Sequence, residues 1–80
     1  MKRTEIYEKL NEIFADVFDD AGLSVSDTTT AADVEGWDSL VHIQLIATIE
    51  DEFGIKFDMK TVLTMKNVGE LVDTIMEAVN

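Results

Sequence analysis

Three stretches of the chain repeat their apolar residues at helical spacing, and none of useful length alternates them at strand spacing. In the first, Ile6, Leu10, Ile13, Phe14 and Val17 share one face, while Glu5, Glu8, Lys9, Glu12 and Asp16 share the other. Asp19, Asp20 and Gly22 then supply stop signals, which predict an end near residue 18. The second stretch runs from about residue 38 to 53 and meets Gly54, suited to the left-handed turn that closes a helix. The last starts at "NVGE", where Asn67 can cap and Glu70 can return the bond from three residues on. Val68, Leu71, Val72, Ile75 and Val79 give it one buried stripe. Between these two, "DMKTVLTM" can hold a short helix capped by Asp58.

Eighty residues make one domain, spanning 1–80. The expected fold is all-α: a small four-helix bundle of three longer helices and a short third one, with a long loop between helices 1 and 2. That loop, "DDAGLSVSDTTTAADVEGW", covers residues 19–37, and loops of such length normally carry contacts or function of their own. Leu23, Val25, Val34 and Trp37 are the residues expected to fasten it to the bundle.

A domain this short buries only about 60 % of the surface its unfolded chain exposes, which leaves little room for both a core and a deep substrate pocket. There is no cysteine, hence no disulfide framework and no thiolate metal site, and the reducing cytoplasm is the expected setting. "MKRTEIYEKL" carries positive charge without an apolar run behind it, so no secretion signal is expected, and no apolar stretch is long enough to span a bilayer. Seventeen acidic residues stand against six basic ones, a formal net charge of −11. Between Lys9 and Lys56 lie eleven carboxylates and no lysine or arginine. Such a surface repels nucleic acid and anionic lipid and attracts basic protein surfaces. A monomer is expected that meets partners through that field.

The second helix carries one apolar stripe too many. Leu45, Ile46, Ile49 and Phe53, with His42 above them, form a core face. Leu40, Ile43 and Ala47 gather on nearly the opposite side, interleaved with Gln44, Glu50 and Asp51. A helix packed on one face needs one stripe, so the second is either covered by the long loop or left for a partner.

Ser39 sits where that second stripe begins. The first turn of a helix offers backbone N–H groups without intrahelical partners and a partial positive charge, both of which stabilise a phosphate. Asp38 can serve as the N-cap and leave the Ser39 hydroxyl pointing outward. A nucleophilic reading would pair Ser39 with His42, three residues on. Against it stand a single histidine directed mostly toward the core, no Gly-x-Ser-x-Gly elbow and no evident oxyanion hole. No catalytic residue is therefore expected. No metal site is expected either: Ala32 stands where a calcium loop of the EF-hand type needs glycine, and Glu50, Asp51 and Glu52 read as a solvated acidic surface.

At these residues the sequence resembles an acyl carrier protein. The likeness lies in "GWDSL" followed by an amphipathic helix ending "IEDEFGIKF", and the order of helices matches over nearly the whole chain. The resemblance implies that Ser39 accepts a 4′-phosphopantetheine arm from coenzyme A through a phosphopantetheinyl transferase. The terminal thiol of that arm would hold an acyl or aminoacyl group as a thioester, which explains how a chain without cysteine could do thiol chemistry. By the same resemblance Asp38 is a cap and transferase contact, and Leu40, Ile43, Gln44, Ala47, Glu50 and Asp51 are the docking residues. The implied partners are an acyl- or aminoacyl-activating ligase and synthase or transferase enzymes with basic docking surfaces. Growing chains could enter near Ile46, Val62 and Met65, although ordinary core is the preferred reading of those three. Carriers of fatty acid synthesis usually place acidic residues where this chain has Val41 and Gln44, and an Ile-Pro pair where it has Phe57 and Asp58. Together with Trp37, these departures point within fatty acid, polyketide or related biosynthesis to a carrier dedicated to a polyketide, an aminoacyl group or a cell-surface molecule. The competing reading is an acidic helical adaptor without a prosthetic group.

Overall fold

A computed structural model describes residues 1–79 of the protein. Among them it forms α1 (Arg3–Val17), α2 (Ser39–Phe53), α3 (Met59–Leu63) and α4 (Val68–Val79), with a 3₁₀ turn at Ala31–Asp33 in the long connection and no strand. The helical bundle read from the periodicity is the bundle observed.

The helix ends follow from local chemistry. At the start of α1 the Lys2 N–H donates to the Glu5 carboxylate at 2.9 Å. At its end the Asp20 N–H reaches the Ala15 carbonyl (2.9 Å) and the Asp19 N–H the Asp16 carbonyl (3.4 Å), the paired bonds of a Schellman stop. Asp19 sits between them with φ 51°, a left-handed conformation that aspartate tolerates better than most side chains. Gly54 closes α2 with φ 65°, as its place in the sequence predicts. Asp58 caps α3 by accepting from the Lys60 N–H at 3.0 Å.

The core is drawn from the predicted stripes. Ile6, Leu10, Ile13 and Phe14 of α1 meet Leu45, Ile46 and Ile49 of α2 and Val68, Leu71, Val72 and Ile75 of α4, all buried. Each fully buried aliphatic side chain stabilises the fold by about 1.5–3 kcal/mol. Val17, Phe53 and Val79, at the far ends of their stripes, are only partly covered.

The long connection is fastened along its length. Val25 and Val34 are buried, and the Val25 N–H donates to the Asn11 side chain at 2.8 Å. Trp37 meets Phe14 edge-on (centroids 5.3 Å apart, 75° between planes) and lies 5.9 Å from Phe18, so the loop's last residues are pinned to α1. The 3₁₀ turn is closed by Asp33, whose carboxylate accepts from the Thr30 N–H at 3.0 Å.

The start of α4 differs in one respect from the reading of "NVGE". Asn67 caps as expected, accepting from the Glu70 N–H at 2.9 Å. The return bond from the Glu70 side chain is not formed among the described residues. Carbonyls of the long loop serve the next two N–H groups of this turn: Val68 N–H donates to Thr29 O at 2.8 Å and Gly69 N–H to Asp27 O at 3.0 Å. This approach requires glycine, because a Cβ at position 69 would lie 2.7 Å from the Asp27 carbonyl oxygen. Beside it Arg3 bridges Asp73 (2.8 Å) and Asp27 (2.7 Å), and the Tyr7 hydroxyl donates to the same Asp27 oxygen. Partial burial, then the bond to Asp27, push the Tyr7 phenol up to about 12. The Tyr7 bond and then the Arg3 contact hold the Asp27 carboxyl below the usual carboxylate range.

Candidate functional site

The site is built at the N-terminus of α2. The extended backbone of Asp38 turns its side chain back over the first turn, where Oδ1 accepts from the Val41 N–H at 2.9 Å. The first backbone bond of the helix runs from the His42 N–H to the Asp38 carbonyl at 2.9 Å. The Ser39 and Leu40 N–H groups precede that ladder and are open to an outside acceptor. Ser39 is the first residue of α2 and is exposed to solvent. The Asp38 cap that the sequence predicts therefore holds the turn and leaves Ser39 exposed beside it.

A cavity of about 370 Å³ opens beside Ser39. Trp37, His42, Val62, Met65 and Leu71 are among its walls, and Lys66 places a cation there. Val62 and Ile46 are core residues, as preferred from the sequence, yet Val62 and Met65 also wall this cavity.

His42 is fully committed. The Trp37 indole N–H donates to its Nδ1 at 3.1 Å, and its Nε2 lies 2.9 Å from the Val62 carbonyl oxygen. Because a carbonyl only accepts, Nε2 carries the proton and Nδ1 supplies the lone pair to the indole. No lone pair is left to activate Ser39, which removes the serine–histidine dyad.

The second stripe of α2 is not covered by the long loop. Leu40 and Ile43 are 69 % and 51 % exposed, and Gln44, Ala47 and Asp51 also face solvent. Two neighbours on α3 extend the apolar face: Met59 and Leu63, 52 % and 64 % exposed. These two were missed in the sequence, although their spacing of four residues places them on one side of a helix. Glu50 differs from its expected role as a free docking carboxylate. It is half-buried, and its Oε2 accepts from the Phe57 N–H at 2.8 Å, so it also anchors the connection to α3.

The family of the phosphopantetheine attachment site matches residues 8–75. The fold superposes on the solution structure of a holo acyl carrier protein from Geobacter metallireducens with a TM-score of 0.85 and 37 % identity, over 91 % of this chain and 84 % of that one. The chain belongs to the acyl carrier protein family. Over 82 residues it is also 27 % identical to an acyl carrier protein of Saccharopolyspora erythraea, covering 99 % of this chain and 83 % of that protein. An acyl carrier protein is a non-catalytic carrier, and its prosthetic group is a covalent 4′-phosphopantetheine. The residues at the head of α2 fit that group: an exposed hydroxyl, N–H groups for its phosphate, and an adjoining cavity. Among the described residues, no helix is long and apolar enough to cross a membrane.

Proposed function

We propose that Ser39 is the attachment point of the 4′-phosphopantetheine arm, and that Asp38 positions it. The observation that carries this reading is the exposed Ser39 hydroxyl on a first turn already capped by Asp38. The cap satisfies one N–H and leaves those of Ser39 and Leu40 to face a phosphodiester, in the favourable field of a helix N-terminus. When bound, the arm supplies the thiol that holds an acyl or aminoacyl group. The protein's own part is to present that arm and to offer a surface that partner enzymes recognise.

Leu40, Ile43 and Ala47, with Met59 and Leu63 from α3, form the apolar centre of that surface. Gln44, Asp51 and the free oxygen of Glu50 form its polar rim. An apolar centre within a carboxylate rim complements a basic enzyme surface with a greasy middle. The partners on this reading are a phosphopantetheinyl transferase, an acyl- or aminoacyl-activating ligase and synthase or transferase enzymes. Val41, Gln44 and Trp37 support a carrier dedicated to one biosynthetic route, working in the cytoplasm, a setting that a chain without cysteine allows.

Incubation with coenzyme A and a broad-specificity transferase, followed by intact-mass measurement, tests the reading. One phosphopantetheine adduct is expected on the wild-type chain and none on Ser39→Ala. An unmodified wild type, under conditions that load a control carrier, would favour the adaptor without a prosthetic group.

A further inference from the structure

We propose that His42 is a positioning residue: its imidazole latches α3 onto α2 and so sets one wall of the cavity beside Ser39. α3 has five residues, far fewer than a helix needs to hold itself in water, so its place depends on contacts outside it. Of its side chains only Val62 is buried, while Met59 and Leu63 face solvent. The Thr64 hydroxyl serves the carbonyls of Lys60 and Thr61 at the end of α3. The Val62 carbonyl is served instead from α2, by His42 Nε2 at 2.9 Å.

The imidazole is in turn held in place. The Trp37 indole N–H fixes Nδ1 as the acceptor, and the two rings stack with centroids 5.9 Å apart and 23° between their planes. Trp37 is wedged against Phe14 of α1 and Phe18 just past its end. A continuous set of contacts thus runs from α1 through Trp37 and His42 to the backbone of α3. Reversing the tautomer would set the His42 Nδ1–H against the indole N–H and leave Nε2 without a proton for Val62, so only one tautomer closes the latch. Val62, Leu63 and His42 all line the cavity next to Ser39, so movement of α3 changes that cavity directly. The functional consequence, which rests on the carrier reading above, is that the latch limits how much of the arm or its cargo the cavity admits.

Nitrogen-resolved NMR of the imidazole and amide hydrogen exchange, both on the full chain, test the latch. The wild type is expected to show the Nε2–H tautomer. In His42→Leu, exchange at the Val62 and Thr64 amides should accelerate about fivefold or more relative to α1 and α4, the range that a net hydrogen bond supplies. In His42→Gln the side-chain amide can both accept and donate, and slower exchange should return in part. An Nδ1–H tautomer would overturn the proposal, as would α3 amides that exchange no faster in His42→Leu. If His42→Leu fails to fold, the wild-type imidazole decides through its own Nε2 proton. An Nε2–H protected from exchange with solvent supports the latch, and one that exchanges as fast as in a free imidazole opposes it. Arm loading is read separately by mass, so its failure would leave these readouts standing.

Discussion

Two sides of the bundle are held in different ways. Near Asp27 the loop joins α4 through two backbone bonds, and α1 joins both through Arg3 and Tyr7. Near Ser39 the exposed surface of α2 and α3 is braced more lightly; one imidazole bond, one buried valine and the Glu50–Phe57 bond hold α3. The first region spends its apolar residues on the core, and the second leaves four large ones in solvent. Stability and presentation are thus separated within 80 residues: one side fixes the bundle and the other keeps an uncovered apolar surface.

Truncation should break this contrast most clearly if it is wrong. Ile75→Ala, in the fully buried stripe of α4, is expected to destabilise by about 2–5 kcal/mol. Leu40→Asp, on the exposed stripe, should stay within about 0.5 kcal/mol of the wild type while weakening partner binding. Chemical denaturation of both variants checks the pair, and a Leu40→Asp chain that unfolds would show that the two regions are not separate. Next in size, Gly69→Ala forces a Cβ against the Asp27 carbonyl and should cost about 1–3 kcal/mol through a shift of the loop backbone. A Gly69→Ala melting curve matching the wild type would mean that the loop gives way freely.

Acid sharpens the comparison further. The Asp27 carboxyl is held low in the folded state, so its contribution is present above the ordinary carboxylate range near pH 4 and is lost as pH falls through the lower folded value. Stability measured from pH 5 down to 2 should therefore fall more steeply in the wild type than in Asp27→Asn. Parallel curves would remove Asp27 from the brace. The smallest expected effect is that of salt. Seventeen carboxylates against six basic residues repel one another, and screening over about 10 Å at 0.1 M relieves this. The melting temperature should rise modestly with added salt, whereas a fall would mean that the Arg3 pairs outweigh the general repulsion.

What was legible in the sequence was what repeats or caps. The apolar stripes of α1, α2 and α4 gave the bundle, Gly54 and Asp58 gave helix ends, and the second stripe of α2 gave the exposed face. Ser39 and Asp38 were readable as a pair because capping acts over three residues. What stayed hidden were contacts between residues far apart in the chain. Arg3 with Asp27 and Asp73 has no periodic signature, nor has the approach of Gly69 to Asp27. His42 looked like a core histidine because its two partners, an indole and a backbone carbonyl twenty residues away, leave no joint mark on the sequence. The short 3₁₀ turn did leave one, in the Thr30–Asp33 spacing, and Met59 with Leu63 left another.

The most direct test of the account is to locate the arm rather than only to count it. Peptide fragmentation of the loaded wild-type chain should find the phosphopantetheine on Ser39 alone. Its presence on Ser24, Ser26 or a threonine of the long loop, with Ser39 unmodified, would contradict the claim that the capped first turn of α2 is where the arm is held.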